Sequence, residues 1–276
     1  MSTAVFPLEV SRSLQRRFLW ATSCQRFGWF GTLDKIMTTI ANKLQSVRAQ
    51  IADTCQKCGI QPTAVALLAV SKTFPAEAVR EAALAGQRAF GENYIQEGVE
   101  KIAAVRAMKD VPPLQWHCIG PIQSNKTKLV AQHFDWVHTV DREKVAQRLS
   151  EQRPDDLAPL QVCIQVNVDG GATKSGCSPQ EALALAQTIA QLPRLQLRGV
   201  MSIPDPQGSD EAMLAIHRKV VQVFESIRAS GITGSAQIDT VSLGMTADMH
   251  TAIAAGSTMV RVGSGIFGVR DYSAKT

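Results

Sequence analysis

The chain has 276 residues, of which 45% are hydrophobic and 19% charged, as in a globular protein with a sizeable core. Its net charge of +5 is uneven, because residues 1–36 contribute +3 and the rest of the chain only +2. This balance, without a basic run interleaved with aromatics in the body of the chain, excludes a nucleic-acid footprint, and no apolar stretch approaches the roughly 18 residues of a membrane span.

Residues 1–36 differ in composition from the rest of the chain, with arginines, serines and aromatics but few acids. A transit or membrane-surface peptide has a similar composition. We favour the alternative, an extension that precedes a natural start at Met37, where an amphipathic helix begins. The sequence therefore predicts a single domain over residues 37–276, and residues 1–36 are predicted to be disordered or non-native.

From Met37 onward, short apolar runs alternate with amphipathic stretches. The predicted strands are 65–71, 88–92, 114–119, 136–140, 160–168, 197–203, 238–243 and 258–262. The helices predicted between them are 77–85, 93–108, 125–132, 142–151, 179–192, 209–230 and 247–255. Three helices are preceded by residues typical of an N-cap, namely Asp141, Ser178 and Ser209.

The order of these elements predicts the fold class. Uniformly apolar strands are typical of a parallel sheet that is buried on both faces, and the regular alternation with helices also indicates a parallel sheet. Eight such units in a chain of this length predict a single α/β domain, a (β/α)8 TIM barrel. A doubly wound sheet is the alternative.

The six cysteines are too few for a disulfide scaffold in a chain of this length, and they indicate a cytosolic protein. Cys55 and Cys58 form a CxxC pair, for which a redox or metal site is one interpretation. A second pair with zinc spacing is absent, and the CxxC follows a helical pattern rather than a strand. Ordinary reduced thiols are therefore the favoured interpretation.

Reactive residues of a (β/α)8 barrel lie where strands end at the carboxyl face, and phosphate is often bound after strands seven and eight. The segment Ser242-Leu-Gly-Met-Thr246 follows predicted strand seven, and Gly263 and Ser264 follow strand eight. Small residues let backbone N–H groups approach an anion, so the two loops predict phosphate binding; tight turns are the alternative. Gly263, Gly265 and Gly268 also spell GxGxxG, but the chain after them is too short for a dinucleotide-binding unit.

Lys72 ends the first predicted strand, on the same face as the phosphate loops. A partly desolvated lysine is nucleophilic toward carbonyls, and a Schiff-base lysine beside a phosphate site is the pattern of pyridoxal 5′-phosphate (PLP) binding. A lysine that merely extends into solvent from a strand end is the alternative. A Schiff-base aldolase for a phosphorylated sugar would use the same residues without the cofactor.

Two other polar residues have alternative interpretations. His117 could border the pocket, but a hydrogen-bonded histidine inside the barrel is favoured. Lys174, in a Gly-rich loop after the fifth strand, could bind anions or transferred PLP, but a solvated lysine is favoured.

Five segments resemble the PLP homeostasis protein family: "AVSKTFP", "FGENYIQE", "WHCIGPIQSNK", "LGMTADMHTAI" and "GSTMVRVGSGIFG". The resemblance extends from about Met37 to Phe267 and implies a barrel of the alanine racemase N-terminal type, PLP fold type III. It implies that Lys72 carries PLP as a Schiff base and that Asn93 lies beside the cofactor ring. By the same resemblance, Arg261 approaches the pyridine nitrogen. The residues implied to hold the phosphate are Ser242, Gly244, Met245, Gly263 and Ser264. Thr246 stands where the family usually has serine, and the hydroxyl is retained.

The residues also bear on activity. Arg261 is permanently cationic and disfavours protonation of the pyridine nitrogen, which makes bound PLP a poorer electron sink. Alanine racemases add a C-terminal domain with a tyrosine base, and neither Tyr94 nor Tyr272 is in an obvious position to replace it. We therefore expect a PLP carrier for storage, buffering and delivery in PLP homeostasis rather than an enzyme; a racemase-like enzyme is the alternative. The expected partners are PLP and apo forms of PLP-dependent enzymes, and a monomer is expected.

Overall fold

The strands predicted from the sequence close into a parallel barrel in the computed structural model, which describes residues 30–171 and 174–268. The strands are β1 Ala66–Val70, β2 Ala89–Glu92, β3 Gln115–Cys118, β4 Trp136–Val140, β5 Leu160–Gln165, β6 Leu195–Met201, β7 Thr240–Ser242 and β8 Met259–Val262. Each strand pairs in parallel with its neighbour in sequence, and β8 pairs with β1 to close the barrel. The (β/α)8 prediction is confirmed, and the doubly wound alternative is wrong.

Helices cover the outside of the barrel. They are α1 Phe30–Lys57, α2 Ala76–Leu84, α3 Ile95–Arg106, α4 Thr127–His133, α5 Glu143–Gln152, α6 Pro179–Ala190, α7 Asp210–Ala229, α8 Met249–Ala255 and α9 Ser264–Phe267. The short helix α9 was not predicted, because four residues are too few to show a helical period. Within the described ranges, no helix is both long and apolar enough to span a membrane.

Helix α1 packs against α2, α8 and α9 through one apolar face. Leu44, Val47, Ile51 and Cys55 are buried on this face at helical spacing, and burial of each large side chain contributes about 1.5–3 kcal/mol relative to exposure. Cys55 is thus a core residue, whereas Cys58 is exposed, and both thiols are free.

The first helix also crosses the predicted start of the domain. It begins at Phe30, seven residues before Met37. Residues 1–29, on which most of the predicted extension falls, lie outside the described residues. The division into residues 1–36 and 37–276 therefore stays a prediction.

Two of the three predicted helix caps are confirmed. Ser178 Oγ accepts from Glu181 N–H, and the Glu181 carboxylate accepts in return from Ser178 N–H, which is a capping box. Ser209 Oγ accepts from Ala212 N–H at the start of α7. The prediction for Asp141 was wrong, because its carboxylate accepts from the Arg142 guanidinium at 2.6 Å and no side chain caps α5.

Candidate functional site

A cavity of about 450 Å³ lies at the carboxyl ends of the barrel strands. Its lining consists of Val70, Lys72, Phe74, Asn93, Ile119, Ile203, Met245, Thr246, Ala247, Arg261, Gly263, Ser264 and Gly268. Of the eight residues that the sequence singled out, six are in this lining, and Ser242 and Gly244 are not. The volume is within the usual range for small-molecule sites.

Lys72 and Asn93 enter the cavity from neighbouring strands. Lys72 follows β1 and is half-buried, and Asn93 directly follows β2. The Oδ1 atom of Asn93 is buried and has no hydrogen-bond partner within the described part of the chain. A buried carbonyl oxygen of this kind is costly unless it accepts a hydrogen bond, so Asn93 is suited to a ligand that offers a donor.

Arg261 is the buried charged residue in the cavity lining. Its Nη1 donates to Ser242 O at 2.6 Å and Ser242 Oγ at 2.8 Å, and its Nη2 donates to Ser202 O at 2.9 Å. Burial lowers the pKa of Arg261 to about 10, so the guanidinium is still cationic at neutral pH. Because a guanidinium has five N–H donors, two are left for a ligand after these three bonds.

Ser242 lies behind Arg261 rather than in the cavity lining. Its hydroxyl accepts from Arg261 and is also 2.8 Å from His138 Nδ1. From the sequence, Ser242 was predicted to bind phosphate, whereas in the structure its side chain forms hydrogen bonds inside the barrel. A direct role in phosphate binding stays a prediction, and the observed contacts are those of a support for Arg261.

A chain of hydrogen bonds continues from Ser242 through the barrel interior. His138 Nε2 is 2.9 Å from His117 Nδ1, and His117 Nε2 is 3.0 Å from the Gln115 amide oxygen. Burial lowers the pKa of His117 to about 3. Burial, followed by His117 and Arg261, also holds the pKa of His138 well below its usual value. Both rings are therefore neutral, and the sequence prediction of a hydrogen-bonded barrel histidine at position 117 is confirmed.

The direction of this chain follows from its end at Arg261. Because a guanidinium only donates, Ser242 Oγ accepts from it and directs its own proton to His138 Nδ1. Neutral His138 then donates through Nε2–H to His117, which donates in turn through its Nε2–H to Gln115. Every donor in the series has one acceptor, which fixes the side-chain orientations.

The two glycine-containing loops meet at the cavity. Ser264 Oγ lies 3.5 Å from Thr246 Oγ1, which brings together the hydroxyls that follow β8 and β7. A Cβ added at Gly263 would lie 3.2 Å from Val70 O, so a side chain at this position would be in tight contact with β1.

Gly244 and Met245 contribute differently from Thr246 and Ser264. Gly244 has φ +89°, and a Cβ there would lie 2.4 Å from Ala252 Cβ, so its role is to form the turn before α8. The Met245 N–H donates to Asp248 Oδ1 at 2.7 Å. The contribution of Met245 to the cavity is therefore its half-exposed side chain.

Lys174 has carboxylate partners instead of being a simple solvated lysine. Its Nζ is 2.6 Å from Asp169 Oδ2 and 2.8 Å from Asp205 Oδ1. It is not in the lining of the cavity that contains Lys72.

The sequence did not reveal the apolar part of the lining. Val70, Phe74, Ile119 and Ile203 lie at or just after strand ends and surround the polar groups. Apolar residues at strand ends resemble ordinary core positions, so the only available signal was their place in the predicted barrel. In the residues that the structure describes, no group of three or more His, Cys, Asp or Glu side chains could hold a metal ion.

Chemically, the cavity combines an amine, a buried guanidinium and two hydroxyl-bearing loops. The amine can react with a carbonyl group, and the hydroxyls and backbone N–H groups of the loops can bind an anion. An aldehyde that also carries a phosphate would use each of these groups.

Comparison with known proteins places this sequence among proteins that are named for pyridoxal phosphate. The family model for the alanine racemase N-terminal domain matches residues 43–271. A pyridoxal phosphate homeostasis protein of Vibrio cholerae is 53% identical over 237 residues, which are 86% of this chain and 99% of the relative. The protein of the same name from Escherichia coli is 51% identical over 239 residues, 87% of this chain and all of the relative.

Solved structures show the same barrel. The structure of PipY from Synechococcus elongatus with PLP bound is 34% identical, has a TM-score of 0.71, and covers 83% of this chain and all of its own. An alanine racemase from Corynebacterium glutamicum, at 17% identity and a TM-score of 0.59, matches over 85% of this chain and 61% of its own. The racemase comparison shows a shared fold only.

Proposed function

Because this chain belongs to the family of pyridoxal phosphate homeostasis proteins, we propose that it binds PLP through Lys72 and acts in PLP homeostasis without turnover of a substrate. The observation that carries the proposal is that Lys72, Arg261, Gly263 and Ser264 line one cavity. The PLP-bound PipY structure, at 34% identity, supports the choice of cofactor.

The residues present fit PLP. Asn93 Oδ1 is a buried acceptor without a partner, available to a hydroxyl or a protonated nitrogen of the ligand. The close approach at Gly263 forms a cradle that a Cβ would disturb, and Thr246 and Ser264 supply hydroxyl donors at the meeting point of the loops. When bound, PLP would supply an aldehyde that condenses with the Lys72 amine to a Schiff base, with release of one water.

Arg261 is held so that it would weaken the electron-withdrawing power of bound PLP. Three of its N–H groups are fixed by Ser242 and Ser202, so its positive charge is held in place beside the ligand. A fixed cation opposes protonation of a nearby pyridine nitrogen, and an unprotonated ring stabilises a carbanion less well. The proposed contact with Arg261 would therefore leave bound PLP a weaker electron sink than a carboxylate partner would.

The lining also offers little acid–base machinery. Among the described residues, Lys72 and Arg261 are the ionisable side chains that line the cavity. Racemisation needs an acid and a base on opposite faces of the substrate. Tyr94 is 55% exposed and outside the lining, and Tyr272 lies outside the described residues. These positions support the carrier proposal over the racemase alternative.

Release of PLP to other proteins would be the second part of this function. We propose that apo forms of PLP-dependent enzymes receive the cofactor, since a Schiff base is hydrolysed by one water and so is reversible. The predictions of a monomer and of a cytosolic compartment stay predictions.

A transfer assay tests storage and delivery together. PLP-loaded protein is mixed with a PLP-dependent apo-enzyme, and recovery of that enzyme's activity is followed beside an equal concentration of free PLP and beside Lys72→Ala. We expect the loaded protein to activate the apo-enzyme and to protect PLP from an added aldehyde scavenger, and Lys72→Ala to lose this protection. Equal scavenging of PLP with and without the protein would contradict the proposal.

A further inference from the structure

Lys72 lies in a hydrogen-bonded turn with an unusual backbone conformation. Phe74 N–H donates to Ser71 O at 3.1 Å, so residues 71–74 form a β-turn with Lys72 second and Thr73 third. Thr73 has φ +68°, one of two positive values among the described non-glycine residues. This pattern is that of a type II turn, whose third position normally holds glycine because a β-branched residue is strained there.

Helix α3 holds both chain neighbours of Lys72. Glu97 Oε1 accepts from Thr73 N–H at 2.6 Å, and Lys101 Nζ donates to Ser71 O at 2.7 Å. Lys101 and Glu97 are themselves 3.0 Å apart, one helical turn from each other. The Glu97–Lys101 ion pair thus binds the backbone of the strained turn on both sides of Lys72.

The buried Glu92 carboxylate binds Lys101 and also Ser71 of the turn. Lys101 Nζ is 2.7 Å from Glu92 Oε1, and Ser71 Oγ donates to the same oxygen at 2.6 Å. Lys101 is only 5% exposed and Glu92 is fully buried. The three hydrogens of the ammonium therefore go to Ser71 O, Glu92 and Glu97, which leaves it no freedom of orientation.

A lysine in the buried stripe of α3 needs a reason other than stability. Its neighbours on that stripe include Ile95, Ile102 and Val105, and a buried ion pair is often no more stabilising than apolar side chains of the same size. Strained backbone of this kind persists only where surrounding contacts hold it, and it is typical of functional sites. The contacts of Lys101 and Glu97 are directed at the turn that carries the reactive amine.

We propose that Glu97 and Lys101 are positioning residues that hold the Ser71–Phe74 turn so that the Lys72 amine enters the cavity. This inference rests on the proposed function, in which that amine captures the aldehyde of PLP. Without the Glu97 contact, Thr73 relaxes toward negative φ and Lys72 is in the competent position for only a fraction of the time. The cost of a left-handed residue corresponds to about a 5- to 30-fold loss of the competent turn.

The test measures the rate of PLP capture by Lys72 in the full chain. Borohydride quenching at timed intervals, followed by peptide mass mapping, reports the fraction of Lys72 that carries PLP. We expect Glu97→Ala to slow capture by about 5- to 30-fold. Glu97→Gln keeps an acceptor oxygen for Thr73 N–H and is expected to stay near the native rate. Glu100→Ala, an exposed residue of the same helix that pairs with Gln96, is the matched control and is expected to match the native protein.

A double variant separates positioning from a general loss of structure. In the Glu97→Ala background, Thr73→Gly should restore most of the capture rate, because glycine adopts positive φ without strain. The melting temperature of each PLP-free variant is recorded in parallel. A native rate in Glu97→Ala, or no recovery in the double variant, would overturn the inference. Native protein that is never labelled at Lys72 would instead show that the proposed function itself is wrong.

Discussion

Replacement of Ser242 by alanine removes one oxygen that serves two buried partners, Arg261 and His138. Arg261 keeps the Ser242 carbonyl as an acceptor, whereas His138 Nδ1 loses its donor. A buried polar atom without a partner costs about 1–3 kcal/mol. We therefore expect the free energy of unfolding of the PLP-free protein to fall by about 2 kcal/mol, which corresponds to a decrease of about 4–8 °C in melting temperature.

The assay is thermal unfolding of PLP-free Ser242→Ala beside Ser264→Ala. Ser264 is exposed and borders the cavity, so its hydroxyl is expected to matter for PLP affinity and to change stability by less than about 0.5 kcal/mol. If Ser242 contacts phosphate directly, the two variants behave alike: stability is native and affinity is reduced. That result would refute the assignment of Ser242 as a support for Arg261.

Three further predictions concern acid sensitivity, the phosphate loops and turnover. Burial lowers the pKa of His117 to about 3 in the folded chain, against about 6.5 when unfolded, so between these values the unfolded state binds the additional proton. The free energy of unfolding should therefore fall as pH decreases from 7 to 5, by up to about 1.4 kcal/mol per pH unit for this group. A free energy of unfolding, measured by urea denaturation, that is equal or higher at pH 5 than at pH 7 would contradict this prediction. Gly263→Asp places a Cβ 3.2 Å from Val70 O and a negative charge at the proposed phosphate site, so we expect PLP affinity to fall at least about 10-fold in a spectroscopic titration. Gly208→Asp, where a Cβ meets no atom within 4 Å, should bind PLP normally, and equal affinities for the two variants would refute the loop assignment. Finally, PLP-loaded native protein should not racemise or transaminate a panel of amino acids at catalytic rates; steady turnover in a chiral chromatography assay would favour the racemase alternative.

The barrel could be predicted because each strand is a separate apolar run. Strand β4 was predicted with the observed bounds, since Asp135 and Asp141 flank a short run of Trp, Val and β-branched residues with one histidine. Strand β5 was predicted to extend to residue 168 but ends at Gln165. Val166 still donates to Met201 O, but it forms only an isolated bridge with Cys177 and no further pairing with β6 follows. Apolar character alone does not show where a strand separates from its neighbours.

Side-chain direction is the part of the site that the sequence could not provide. Lys72 was placed at the cavity by its position at a strand end and Arg261 by the family resemblance, and the structure puts both in its lining. Ser242 ends its strand in the same way but interacts with His138 inside the barrel, a contact that depends on residues 104 positions apart in the chain. The hydrogen bonds of Glu97 and Lys101 to the backbone of the Ser71–Phe74 turn were not predicted either. Its signal was a lysine within the apolar stripe of α3.

Covalent trapping of PLP on the native chain shows whether Lys72 is the residue that captures the cofactor. The purified protein is incubated with stoichiometric PLP, reduced with borohydride and digested, and the modified lysines are mapped by mass spectrometry, with Lys72→Ala and Lys174→Ala treated in parallel. We expect one dominant modified peptide, containing Lys72, that persists in Lys174→Ala and is absent from Lys72→Ala. Equal total labelling of Lys72→Ala and native protein, or labelling mainly at another lysine, would contradict it.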